Sequence, residues 1–437
     1  MTNEPPQSTM PADSMPSSSP LTTVADEAGD LIQIVGRFSG PGEPIVEGDV
    51  QTWLLGEGRR LAKDTEFFDV LCRRLLGAGL PIWRASLSVG TLHPQILGLN
   101  FRWWRDRRMT EVRRVGYGVD QTMDYRESPI RPVMELGRTV RYRLDDSATV
   151  AAYPLLGTLR GAGATDYFAC PLTFFNGRHQ ATTWTTDRPG GFTDSHIAGI
   201  ASIMPVLGSV VEARAMRRLA GTLLNTYLGR TAGQRILDGE IRRAQGEQIS
   251  AVILVTDMRG FTNLSDRLPG PELIALLDDY FDAITEPVEE YGGEVLKFMG
   301  DGLLAIFPYA DGAPSDAADA ALTAATSGLA RIDRLNQRRK AEGRVQFRAG
   351  IGLHLGEVIF GNVGAVDRLD FTTIGPAVNL AARLETLTKR LERPLLVSSD
   401  FARACRRKLD SLGFHPVRGL SKPEEVFGLA QPSNPSR

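Results

Sequence analysis

A chain of 437 residues exceeds what a single hydrophobic core usually supports, and a hydrophobic share of 42% with 23% charged residues belongs to a folded globular protein rather than a disordered or fibrous one. The formal net charge of −2 argues against general nucleic-acid binding, and three scattered cysteines, Cys72, Cys170 and Cys405, supply neither a disulfide framework nor a metal cluster. Two domains and a tail are expected, in a reducing cytoplasm, with no nucleic acid as partner.

Residues 1–45 are rich in Pro, Ser, Thr and acidic residues and lack periodicity, which is the composition of a disordered tail. They open on neither a basic nor an apolar stretch, so no secretory signal is read there, and no apolar run reaches the roughly 18 residues of a membrane span. Between about 50 and 80, Leu61, Phe67, Phe68, Leu71 and Leu75 fall close to helical spacing and a glycine suits the stop. The segments IWRASLSVGTL, ILGLNFRWW, TVRYRL, DYFACPLTFF and HQATTWTT then read as strands, followed by a helix from Asp194 to about Arg218. Trp103 and Trp104 stand among Arg102, Arg105, Arg107 and Arg108. Stacking on nucleic acid is one reading of that group, and a solvated turn beside ordinary core tryptophans is the favoured one. His93, His179 and His196 show no ligand spacing, and Cys170 reads as a buried apolar residue.

The order of a helix, mostly antiparallel strands and a closing helix resembles a GAF-type domain over 46–215. That resemblance implies one of two roles, a small-molecule ligand in a pocket over the sheet or a dimerisation spacer. From 199 to 248 apolar residues such as Ile203, Val210, Leu224, Leu228 and Ile241 recur at three- and four-residue intervals, and Pro205 and Gly229 interrupt them. The part from 216 to 248 is read as a helical linker that either serves as a dimer seam or packs on the following domain, and that gives the upstream module a route to regulate the domain after it.

The chemistry is carried by 249–431. Val252 to Val255 is a run suited to a buried strand, so Asp257 stands at its end with Gly260 closing the turn. Glu294–Met299 and Leu303–Phe307 read as the arms of a hairpin whose turn holds Gly300, Asp301 and Gly302. If the hairpin lies beside the first strand, the two carboxylates share one small volume, which is what a two-metal phosphoryl-transfer site requires. An amphipathic helix from Pro271 to Tyr291, a second from about Ala313 to Lys340, and two strands around a turn at Leu355 and Gly356 complete a β-α-β-β-α-β order. This predicts an α+β fold with a ferredoxin-like, split βαβ catalytic domain. Pro376 then opens a helix on which Asn379 and Arg383, four residues apart, share a face. Taken singly, each aspartate could cap a turn, Asn379 a helix, and Arg383 a surface ion pair; Glu385 reads as a helix-face charge, and His354 and His415 as structural.

The segments TDMRGFT, KFMGD, GLHLGEV and VNLAARLE resemble the class III nucleotidyl cyclases across nearly all of 249–431. The resemblance implies an adenylate cyclase with two Mg²⁺ or Mn²⁺ per site, held by Asp257, Asp301 and the backbone carbonyl of Met258. It implies that Lys297 contacts adenine, that Asn379 orients the ribose, and that Arg383 stabilises the transition state. It places a phosphate-binding basic residue at Arg418 or Lys422. Thr372, seven residues before Asn379, stands where many members carry a purine-reading Asp and so resembles a Thr-type bacterial subgroup, which adds bicarbonate as a candidate effector. A hydroxyl there can accept from the adenine amino group, which favours ATP. Pro376 departs from the usual Asp and is read as a helix start. Since one chain holds one copy of each group, a head-to-tail homodimer with shared active sites is implied. A catalytically silent relative is disfavoured because every implied residue is present, and a diguanylate cyclase because its GGDEF-type loop is absent. The final residues, 432–437, are read as a tail.

Overall fold

The structure is a computed structural model that describes residues 31–91, 93, 96–239, 246–310, 313–365, 369–418 and 422–430. Residues 1–30 of the stretch read as a tail over 1–45, and the tail read at 432–437, lie outside them. The described residues divide into two units after Ala220.

The first unit is built on an antiparallel sheet of β1 (Ile32–Ser39), β2 (Arg84–Gly90), β3 (Ile96–Trp104), β4 (Met109–Gly116), β5 (Val140–Arg143), β6 (Asp166–Thr173) and β7 (His179–Thr186). Their spatial order is β1-β4-β3-β2-β7-β6-β5. Alternation along the strands sends Ala85, Leu87, Phe101, Trp103, Phe168 and Trp184 to one face. There they pack against Phe67, Phe68 and Leu71 of the helix Asp64–Gly77 and against Ile200, Ile203 and Leu207 of the helix Asp194–Leu228. Trp103 is a core residue, fully buried, and its indole donates to Asp69 Oδ1 at 3.0 Å. The opposite face is covered by the helices Arg131–Leu136 and Pro154–Gly161, which bring Val133, Leu156 and Leu159 onto Tyr167 and Ala169.

Two strands depart from the sequence reading. β1 lies inside the stretch read as a tail, because the short run IQIVGRFS has the β-branched residues to pair with β4 once that strand offers an edge. β4 was hidden in the sequence by Arg113 and Arg114, which break its apolar alternation. The helix Asp194–Leu228 runs past the expected Arg218 and is long and apolar enough to cross a membrane by length and composition, although no single apolar run in it reaches span length. Its buried residues, including Ile200, Ile203, Leu207, Val210 and Val211, belong to the first unit's core. Gly229, at φ 85°, breaks the helical path as expected, and a short helix Arg230–Leu237 comes next; residues 240–245 of the linker lie outside the described set.

The second unit holds β8 (Gly246–Met258), β9 (Glu294–Met299), β10 (Gly302–Tyr309), β11 (Ala349–Gly364), β12 (Leu369–Ile374), β13 (Leu395–Ser398), β14 (Leu409–His415) and β15 (Glu424–Leu429). The sheet order is β14-β15-β13-β11-β8-β10-β9, with β12 paired to the outer end of β11. The helices Gly270–Glu290 and Pro314–Ala341 pack together on one face through Leu276, Tyr280, Ile284, Leu322 and Ala325 against Val252, Leu254 and Leu303. The helix Pro376–Arg390 covers the other face, with Ala377 and Ala381 against Ile253, Val255 and Val358.

Where two strands around a turn were expected, β11 is one continuous strand. The glycines suggesting a turn have another purpose: Gly350, Gly352 and Gly356 share one face of β11, and the helix Pro376–Arg390 lies directly on it. A Cβ at Gly352 would collide with the Ala381 carbonyl, and one at Gly356 would sit 2.9 Å from the Ala377 methyl. Gly352→Ala is therefore expected to destabilise the second unit by about 1–3 kcal/mol, because backbone rather than a flexible side chain must move. Thermal unfolding would show it as a lowered transition, and an unchanged transition would mean the helix has room to slide.

Candidate active site

Asp257 is the penultimate residue of β8, and its register partners are both glycines, Gly302 on β10 and Gly350 on β11. Flanked by residues without side chains, its carboxylate is left uncrowded at the strand end. Asp301 arrives from the neighbouring hairpin, where Gly302 pairs with Met299 across a two-residue turn. Gly300 takes φ 67°, a conformation glycine adopts without steric cost and a tight hairpin turn of this kind needs. The Met258 amide donates to the Asp301 carbonyl at 3.2 Å, tying the tip of the hairpin to the end of β8.

The two carboxylates meet. Burial, the charge of Asp257 and a hydrogen bond to it push the Asp301 carboxyl up to about 6, and the Lys389 ammonium pulls the other way. Lys389 Nζ lies 3.2 Å from Asp257 Oδ2, reaching over from the last turn of the helix Pro376–Arg390. One turn earlier, Glu385 is buried, and Oε1 has no hydrogen-bond partner among the described residues. Burial, then the charge of Asp257, raises its carboxyl to about 7 against the pull of Lys389 and Arg259. Burial lowers Arg259 in spite of the attraction of Glu385, and its guanidinium is fixed by a 2.8 Å bond to the Arg393 carbonyl.

Such a donor set suits a hard divalent cation shared with phosphates. Among the described residues no group of three or more His, Cys, Asp or Glu could cage a metal by itself. Two carboxylates brought together at adjoining strand ends, one already holding an ammonium, are what a magnesium-type site contributes when substrate oxygens complete the shell.

Residues 244–424 match the model of the "Adenylate and Guanylate cyclase catalytic domain" family. Residues 244–424 are a class III adenylate/guanylate cyclase catalytic domain. The chain is 31% identical over 190 residues to "Adenylate cyclase 1" of Rhizobium meliloti, covering 43% of this chain and 28% of that protein. It is 33% identical over 183 residues to "Adenylate cyclase" of Anabaena cylindrica, covering 41% and 35%. The chain thus spans about a third of the length of these curated relatives. Among solved structures it is similar to the adenylyl cyclase CyaB from P. aeruginosa, with TM-score 0.40 and 28% identity over 43% of this chain and 97% of that one. It is similar also to the guanylyl cyclase Cya2, with TM-score 0.38 and 28% identity over 43% and 97%.

The remaining sequence-read residues of the cyclase domain lie on β9, on β12, on the helix Pro376–Arg390 and on the stretch before β15. Lys297, on β9, pairs with Asp370 on β12 at 3.0 Å. Thr372, two residues along β12, is buried, and its hydroxyl lacks a hydrogen-bond partner among the described residues. Gly375, at φ 152°, turns the chain into the helix that carries Asn379, exposed, and Arg383, partly buried. Arg383 makes no hydrogen bond or ion pair among the described residues. At 3.6 residues per turn, Arg383 is about 200° around the helix from Glu385. Asn379 and Arg383 therefore point away from the carboxylates of their own chain, while Glu385 and Lys389 point toward them. Arg418 and Lys422 are exposed on either side of residues 419–421, which lie outside the described set.

Lys389, Arg259 and Asp370 escaped the sequence reading, and Glu385, read as a helix-face charge, is buried beside Asp257. Glu385 and Lys389 carry the same four-residue spacing that marked Asn379 and Arg383, so a second charged face was visible; what the sequence lacked was the direction of that face.

Proposed function

We propose that the chain is an adenylate cyclase converting ATP to 3′,5′-cyclic AMP and pyrophosphate in cyclic-nucleotide signalling, under regulation by the N-terminal unit. The observation that carries the reaction class is the apposition of Asp257 and Asp301 at adjoining strand ends, where the charge of one raises the proton affinity of the other. With the carbonyl of Met258 they are the groups that would hold two Mg²⁺ or Mn²⁺. Divalent cations there supply Lewis acidity toward the ribose 3′-hydroxyl and neutralise charge on the departing pyrophosphate.

In the reaction the 3′-oxygen, giving its proton to Asp257 or a water, forms a bond to the α-phosphorus as the bond from that phosphorus to the oxygen shared with the β-phosphorus breaks and pyrophosphate leaves. The residues of the chain bind and orient. Lys389 is a placeholder on Asp257 that gives way as the substrate complex assembles. Arg383 stabilises charge at the α-phosphate, Asn379 orients the ribose, and Arg418 or Lys422 meets the phosphates. The unpartnered hydroxyl of Thr372 beside Lys297 supports ATP over GTP, since it can accept from an adenine amino group while the ammonium donates to an unprotonated ring nitrogen. We assign the second unit a ferredoxin-like, split βαβ core, on the strand order β11-β8-β10-β9 with two helices on one face. We assign the first unit as a GAF-like sensor, the Thr-type subgroup as the chain's place among cyclases, and a head-to-tail homodimer as its working form.

The test is turnover of ATP and of GTP by the purified chain with Mn²⁺ or Mg²⁺, beside Asp257→Ala. Cyclic AMP should dominate and fall by at least about 100-fold in the variant. Cyclic GMP as the main product would overturn the substrate assignment, and no cyclic product from folded protein would overturn the enzyme.

A further inference from the structure

A sheet covered on both faces ordinarily turns apolar side chains to both. The first unit breaks that rule on one side. Its face toward the helices Arg131–Leu136 and Pro154–Gly161 carries Arg84, Ser86, Ser88, Asn100, Arg102 and Tyr167, and these surround a cavity of about 240 Å³. The rest of the wall is mainly apolar, with Leu99, Val119, Ile130, Met134 and Leu155, and Asp120, Tyr125, Ser128 and Thr183 add polar groups.

Arg84 is the unusual member. It is 6% exposed, and among the described residues its guanidinium has no hydrogen bond or ion pair, only the ring of Trp104 at 5.7 Å. The nearby acid Glu111 is engaged by Arg113, at 2.5 Å, and by Arg37, at 3.7 Å. The Tyr167 hydroxyl, also buried, lacks a partner among the described residues. A buried charge is costly unless something pairs it, and here the fold holds a planar, permanently charged fork with its counter-charge missing.

We propose that this cavity binds a compact carboxylate with an apolar body, its carboxylate on Arg84 and Tyr167 and its body against Leu99, Ile130 and Leu155. Arg84 and Arg102 stand in the wall against one carboxylate, Asp120, and that balance of one positive charge matches a single negative charge rather than a polyanion. The volume suits a small aromatic or short-chain acid.

The experiment titrates the full chain with benzoate and with hexanoate by calorimetry and thermal shift, using benzyl alcohol and inorganic phosphate as controls, and repeats it on Arg84→Met. At least one of the two acids should bind and raise the melting temperature, the controls should not, and Arg84→Met should weaken binding by about 30-fold or more. If Arg84→Met fails to fold, Arg84→Lys serves, because it keeps the charge but loses the two-pronged geometry, and it should bind about tenfold more weakly. Failure of both acids at millimolar concentration, equal binding by the Arg84 variant that folds, or binding of phosphate in their place would each overturn the proposal.

Discussion

Arg383→Ala is expected to lower the turnover of ATP by about 100-fold or more while leaving the protein as stable as before, within roughly 0.5 kcal/mol. Both halves rest on one observation. The guanidinium makes no hydrogen bond or ion pair among the described residues, so its removal breaks no polar contact in the folded chain. Charge stabilisation by a preorganised cation acts where charge develops, so the loss should appear in kcat more than in KM. Arg383→Lys should recover little, since an ammonium on a flexible stem cannot reproduce a planar fork. Steady-state kinetics beside thermal unfolding decide the matter. A variant that loses activity and stability together would make Arg383 a structural residue, and full activity would remove it from the site.

What could be read from the sequence and what could not divide along physical lines. Asp257 and Asp301 were legible because glycines and apolar runs around them fix strand ends and a hairpin turn through local rules alone. The helix bearing Asn379 and Arg383 was legible from Pro376 and its spacing. The glycines of β11 misled: in sequence a glycine after Leu355 looks like a turn, and only the packed helix shows that Gly350, Gly352 and Gly356 clear a path for Ala377 and Ala381. Glu385 looked like a surface charge because burial is a property of what packs on a residue, here β11 and Arg259, and no local pattern reports it. β1 went unread because an eight-residue strand between polar stretches has no signal beyond its own few β-branched residues until β4 supplies the edge. Long-range pairing decided each case that local chemistry left open.

A mixture of two inactive variants should be active. Asp257→Ala and Arg383→Ala, each prepared alone, are expected to produce almost no cyclic AMP. Combined in equal amounts under conditions of subunit exchange, they should recover about a quarter of the wild-type rate, since about half of the dimers are mixed and each mixed dimer holds one intact site out of two. The reason lies in the helix Pro376–Arg390. Its Glu385 and Lys389 face the carboxylates of their own chain, and Arg383, two residues from Glu385, faces about 200° away. No rotamer change carries a side chain around its helix, so Arg383 can meet a metal-bound phosphate only on carboxylates from another copy. Large apolar side chains are exposed beside these groups, Phe298 at 53%, Met299 at 45%, Ile359 at 48% and Ile374 at 43%, a suitable patch for a second chain to cover. Mixing the double variant Asp257→Ala/Arg383→Ala with either single variant provides the control and should recover nothing, because no pairing of those chains assembles one complete site. Recovery absent from the first mixture, with exchange demonstrated by co-purification of differently tagged chains, would place both functions in a single chain and require the helix to turn.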